Sequence, residues 1–117
     1  MTDTTAATPF LAAAATAADL EDWGPLAEAT GEPMQTTGRT LWADGDQEVG
    51  VWECTPGPSH WTLETNEAVH ILSGRMTVTP DDGQPQDIGP GDTAVLRRGG
   101  QGHRRIHQTV RQLEAVF

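Results

Sequence analysis

The residues best equipped for chemistry fall in two stretches. TPGPSHWTLETNEAVHILSGRMTV, residues 55–78, holds His60, Glu67 and His70. RRGGQGHRRIHQ, residues 97–108, holds Arg97, Arg98, His103, Arg104, Arg105 and His107. Imidazoles and a carboxylate can share a metal ion when alternate residues of a strand present them on one side. A carboxylate facing a guanidinium can instead hold a small polar ligand, and can move a proton where burial raises its pKa.

Strand alternation decides which of these residues meet. In EAVHIL, Glu67, Val69 and Ile71 share one face, and Ala68, His70 and Leu72 the other. In GHRRIHQ, the apolar Ile106 marks the inner face, so Arg104 and Gly102 point inward with it, and His103, Arg105 and His107 point away. Glu67 and Arg104 are therefore the candidate catalytic pair, with Val69 beside Glu67. In EVGVWEC, Trp52 and Cys54 share a face opposite Val49 and Val51. Trp52 and Trp61 read as core or as flat walls for a planar ligand. Cys54 is either a small packing residue or a pocket thiol, although no neighbouring histidine would activate it. Arg97 and Arg98, beside Gly99-Gly100, either cover a pocket mouth and attract anions or form solvated surface.

The elements that position these residues are short strands punctuated by turns. QTTGRTLWA, EVGVWEC, HWTLE, EAVHIL, RMTVTP, TAVLR, HRRIHQ and VRQLEAVF alternate or run apolar, and TPGP, DDGQP, IGPGD and RGGQG separate them. The spacing predicts about eight or nine antiparallel strands, all-β, in a sandwich or barrel with no core helix. Residues 1–20, rich in alanine and threonine, read as a flexible or weakly helical tail. Residues 21–117 read as a single domain.

The formal net charge is −10, with twelve acids and one arginine through Glu67, then five acids and six arginines. That balance argues against nucleic-acid binding, which depends on neutralising phosphates. No apolar run is long enough to cross a membrane as a helix. A lone cysteine makes no internal disulfide and fits a reducing cytoplasm.

GVWECTPG (50–57), NEAVHILSGRMTV (66–78), IGPGD (88–92) and TVRQ (109–112) together resemble the short cupins. More narrowly, they are similar to the branch related to the C-terminal half of ureidoglycine aminohydrolases. The resemblance covers roughly residues 24–117. It implies a double-sheet jelly-roll barrel with a pocket at one mouth, often a homodimer; the face bearing Ala68, His70 and Leu72 could meet the second copy. The family pattern places two histidines one residue apart, then a glutamate, then a histidine in a second motif. Glu67 takes the glutamate position. With the longer spacing the histidine positions fall on His60 and Thr62; with the shorter one they fall on Trp61 and Leu63. The second-motif position falls on Gly102.

At most Glu67 and His60 remain as metal ligands, so the expectation is a pocket without a cofactor. A divalent ion (Mn, Fe, Ni or Zn) held by those two residues is the alternative. The reading is a small-molecule-binding protein acting by acid–base chemistry on a small anionic, carboxylate-bearing metabolite. Arg104 would bind the anion and Glu67 would orient it, with Trp52, Cys54, His60, Trp61, Val69, Arg97 and Arg98 around the ligand. A structural Glu67–Arg104 salt bridge competes with that role. A metal-dependent hydrolase or oxygenase and a non-catalytic dimeric binding module are the other readings. Metal-free sugar epimerases of the family use a histidine base and a tyrosine acid, and this chain has no tyrosine. Ureidoglycine aminohydrolase activity itself is not expected, since those enzymes carry two such domains and a fuller ligand set.

Overall fold

The computed structural model describes residues 7–117; the first six residues lie outside the described part. The strands are β1 (Glu21–Pro25), β2 (Gln35–Asp44), β3 (Gln47–Cys54), β4 (Gly57–Thr62), β5 (Glu67–Pro80), β6 (Gln86–Ile88), β7 (Thr93–Leu96) and β8 (Gln101–Val116). All pairings are antiparallel, and no helix occurs among the described residues.

Two long strands organise the rest. The first part of β8 pairs with β4 on one side and with residues 76–80 of β5 on the other; β6 continues that layer. The last part of β8 pairs with β3 and with residues 67–71 of β5, and β2, β1 and β7 extend this second layer. The result is a double-sheet jelly roll whose layers share two bent strands. The sequence reads EAVHIL and RMTVTP as separate strands, and HRRIHQ and VRQLEAVF likewise. Each pair is one continuous strand instead. Register shifts between Ile71 and Met76 absorb the corner, so β5 turns without ending.

Gly74 stands at that corner with φ +84°, and a Cβ on it would collide with the Thr109 carbonyl of β8. The backbones approach so closely here that only glycine fits.

The core lies between the layers. Cys54, Ile71 and Val110 come from the six-stranded layer, and Trp61, Met76, Val78, Ile88 and Ile106 from the four-stranded one. Met34 and Leu63 close the sides.

The expected tail is not helical where it is described. Thr16 and Ala17 N–H groups both donate to Ala13 O, making a single turn. Arg111 Nη1 donates to Ala14 O at 2.9 Å while its Nε holds Glu53, and Arg39 pairs with Asp19 at 3.0 Å. These contacts lay residues 14–19 against β2, β3 and β8. The stretch around Gly24-Pro25 supplies the edge strand β1; Pro25 is tolerated because it ends an edge.

Gly74→Ala should lower stability by about 2–3 kcal/mol, through the left-handed φ and the collision with Thr109. Urea unfolding measures this, and a wild-type midpoint would mean the corner accepts a side chain.

Candidate functional site

The inner face of the six-stranded layer changes character along its length. Cross-strand register aligns Cys54 with Val110, then Trp52 with Gln112 and Ile71, then Gly50 with Glu114 and Val69, and finally Glu48 and Glu67 with Val116. The face thus passes from core to glutamine to glutamates. Arg104 comes from the part of β8 in the other layer. The glutamine-and-glutamate end of that face (Trp52, Gln112, Glu114, Glu48 and Glu67) and Arg104, with Trp23, Leu26 and Glu28 at the side, line a cavity of about 260 Å³.

Arg104 is half-buried and lies over Trp52, its guanidinium carbon 4.9 Å from the ring centroid. Such a cation–π contact contributes about 0.5–2 kcal/mol. Its Nε is sealed from solvent and has no hydrogen-bond partner among the described residues. The same is true of Oε1 of Gln112, a side chain only 2 % exposed. Both residues line one cavity, and each carries just behind its wall a polar atom that the protein does not satisfy.

Glu67 and Arg104 share this cavity, as alternation along β5 and β8 indicates. They do not form the closed salt bridge of the structural reading: among the described residues the ion pairs are Arg39–Asp19, His60–Asp81 and Arg111–Glu53. Four carboxylates, Glu28, Glu48, Glu67 and Glu114, line a cavity with one guanidinium. Burial pushes the Glu67 carboxyl above its ordinary range; Arg104 partly offsets this and Glu28 adds to it. Burial and the neighbouring charges of Glu67 and Glu48 push Glu114 up to about 7. Burial also lowers the pKa of Arg104, and the nearby Cys54, Glu67, Glu28 and Glu114 oppose that shift.

Other expected pocket residues go elsewhere. Cys54 is 1 % exposed in the core, and burial raises its thiol to about 11, so it is a packing residue. Val69 is buried across from Glu114 but does not line the cavity. Trp61 is core and packs its ring on Gly102, where any Cβ would collide with the indole. Arg97 and Arg98 are exposed and line a separate open groove with Asp81 and Asp82. His60 is not among the cavity residues: it faces out beside His103 and Asp81, away from the side of β4 that buries Ser59 and Trp61.

The metal that the fold accommodates in other members does not fit these residues. Trp61 and Leu63, at the histidine positions of the shorter spacing, are both buried in the core, and Gly102 takes the second-motif position. No histidine lines the cavity, which offers oxygen donors around a fixed guanidinium. Zn²⁺, Fe²⁺ and Ni²⁺ are suited by imidazole, and any resident cation, Mn²⁺ included, would meet Arg104.

Residues 41–113 match the EutQ-like cupin domain. The chain belongs to that family. A protein of unknown function from Pseudomonas syringae pv. tomato, of the DUF861 family, shares the fold with TM-score 0.77 and 22% identity. The alignment covers 86% of this chain and 45% of that one, so the cupin chain spans under half the length of this relative. The Clostridium difficile EutQ protein aligns with TM-score 0.63 and 15% identity over 72% of this chain and 68% of its own. A DUF861 family protein from Thermotoga maritima is 30% identical over 57% of this chain and 76% of its own, with TM-score 0.55. No curated protein matches the sequence.

Glu48, Glu114 and Gln112 escape sequence reasoning, yet alternation carried their signal. Val110, Gln112 and Glu114 step along one face from a core valine, as do Cys54, Trp52, Gly50 and Glu48.

Glu114 also sets a pH dependence. A carboxyl whose pKa rises on folding binds more protons folded than unfolded between its ordinary value, 4.5, and about 7. Its stability contribution is therefore complete below 4.5 and lost as pH rises through 7. Glu114→Gln should match the wild type near pH 4 and exceed it by about 1–2 kcal/mol at pH 8, the half-exposed position tempering the gain. Equal melting temperatures across that range would refute the assignment.

Proposed function

We propose that the acidic cavity binds a small metabolite carrying a carboxylate and a nearby amino or hydroxyl group, and that Glu67 and Glu114 perform acid–base chemistry on it without a metal. The supporting observation is that two residues lining one cavity, Arg104 and Gln112, each carry an unsatisfied polar atom, Nε and Oε1, which a ligand reaches once those side chains turn toward it. A carboxylate on Arg104 would engage the planar fork, and an N–H or O–H of the ligand would complete Gln112. Leaving either group unpaired in the free protein is unfavourable, so a ligand that satisfies both gains affinity.

Charge narrows the ligand further. The surplus of carboxylates disfavours a dianion and favours a molecule with one acidic end and one hydrogen-bond-donating or cationic end. Size narrows it too: 260 Å³ is about nine times the volume of a liquid water molecule, room for a small metabolite rather than a peptide. Glu114, with a pKa of about 7, would exchange a proton readily near neutral pH, where general acid–base catalysis is most effective. The buried thiol of Cys54 is consistent with the cytoplasmic setting that we assign. The narrower kinship with the ureidoglycine aminohydrolase C-terminal half belongs to this reading and rests on the same stretches around Glu67.

The outer face of the six-stranded layer supports a second copy as partner. Register aligns Val49, Ala115, Ala68 and Val95 in one row, with Leu113 beside His70 in the next. Val95 is 58 % exposed and Leu113 39 %. Apolar side chains in adjacent rows of an outer face suit a self-complementary contact.

Calorimetry with small amino and hydroxy acids, beside their carboxamides, tests the ligand reading. Acids should bind and amides should not, and Arg104→Gln should weaken binding at least tenfold, as expected for loss of charge-assisted bonds worth about 1.5–3 kcal/mol. Undiminished binding by that variant would overturn the proposal. Mn²⁺ or Fe²⁺ binding that Glu67→Gln abolishes would replace it with the metal-dependent reading. For the second copy, light scattering should report a dimer that Leu113→Lys converts to monomer; a wild-type monomer at high concentration would refute it.

A further inference from the structure

Three potential metal ligands lie outside the acidic cavity and play no part in the proposed chemistry. His60 on β4 and His103 on β8 are direct cross-strand partners, with ring centroids 4.8 Å apart, edge to face at 69°. The His60 N–H donates to Glu28 O at 3.1 Å, on the other side of β4 from β8. The two histidines thus form a non-hydrogen-bonded pair, the arrangement that brings opposed side chains closest.

Asp81 joins them from the turn after β5. Its N–H donates to Gln101 O at 2.9 Å, which holds the turn against β8. Thr79 pairs with His103, so Asp81, two residues on, returns to the same side. Asp81 Oδ2 lies 3.5 Å from His60 Nε2.

We propose that His60, His103 and Asp81 form a surface site for a divalent transition cation of the Zn²⁺ type. One ligand atom from each residue already lies within 4.8 Å of the others. Zn–N and Zn–O bonds of about 2.0–2.2 Å place tetrahedral ligand atoms roughly 3.3–3.5 Å apart, the spacing His60 and Asp81 already have. Small rotations of these solvent-accessible side chains bring in His103. Two imidazoles and one carboxylate suit Zn²⁺, and they leave a fourth position for water or a ligand group.

This site is separate from the cavity. His103 and Arg104 are consecutive on β8 and point to opposite faces, one outward and one into the cavity. The bound ion would join three segments: β4, the turn after β5, and the start of β8. It would add a tie on the outer side to the ladder hydrogen bonds and the Trp61–Gly102 packing on the inner side, so the ion should stabilise the four-stranded layer. The remaining histidines serve as controls because they are engaged elsewhere: His70 Nδ1 with Thr93 Oγ1 at 2.8 Å and His107 Nε2 with Thr77 Oγ1 at 2.7 Å.

Untagged protein stripped with chelator should be titrated with Zn²⁺ by calorimetry, with the melting temperature recorded alongside. The expected result is one ion per chain and a rise in melting temperature of several degrees. His60→Ala, His103→Ala and Asp81→Ala should each weaken binding at least tenfold, while His70→Ala, His107→Ala and Glu67→Gln should leave it unchanged. The three ligands are solvent-accessible, so each variant should melt like wild type in chelator. Co²⁺ supplies a second readout, since a four-coordinate site gives an intense visible absorption that the His103→Ala variant should lack. Absence of binding would overturn the proposal, as would binding that survives loss of both histidines. Binding lost in Glu67→Gln but kept in His103→Ala would also overturn it, by moving the ion into the cavity.

Discussion

Two strands that run through both layers constrain everything else in this molecule. Because β5 and β8 each turn the corner without ending, one ladder carries the register from the four-stranded layer into the six-stranded one. Arg104 in the first layer is thereby held over Trp52 and Gln112 in the second with no loop between them to relax. A site built on continuous strands is positioned more precisely than one built on loops. The corner depends on Gly74, whose backbone lies so close to Thr109 that no side chain fits between them. The glycine that looks like punctuation in the sequence is therefore what keeps the cavity walls in register.

Within that frame the cavity is an electrostatic conflict with one moderator. Four glutamates would repel one another if all were ionised, and burial makes the charges of Glu67 and Glu114 harder to keep. Arg104 opposes both effects without pairing tightly to any of them, since its guanidinium lies against the Trp52 face. The result is a graded set rather than a salt bridge: a carboxyl near 7 at Glu114, a raised one at Glu67, and a cation that leaves one donor free. A tight ion pair would have spent the arginine on structure.

Much of this was legible in alternation. Ile106 marks the inner face of β8 and Arg104 shares it; on β5, alternation sets Glu67 with Val69 and Ile71 and apart from His70. Alternation is silent where geometry exceeds a single strand. It could not show that HRRIHQ and VRQLEAVF are one strand, because a bulge erases the period at the corner. It does not reveal β1, because an edge strand tolerates the glycine and proline, Gly24 and Pro25, that a central strand does not. Nor does it bring the histidines together, because the meeting of His60, His103 and Asp81 depends on the β4–β8 register and on a turn after β5.

The same register explains why histidines and cavity have parted. Alternation on β4 allows either Ser59 and Trp61 or His60 and Thr62 to face inward. The indole of Trp61 is by far the larger apolar surface, and Gly102 opposite it leaves room for the ring and for nothing else. Burying Trp61 therefore fixes the parity of β4 and turns His60 outward. On β8, Gly102 facing in sends His103 out as well, directly opposite His60. One packing contact, indole on glycine, thus excludes imidazole from the cavity and gathers two imidazoles on the outside. An interior without imidazole and an exterior with two are consequences of a single choice of which side chains form the core.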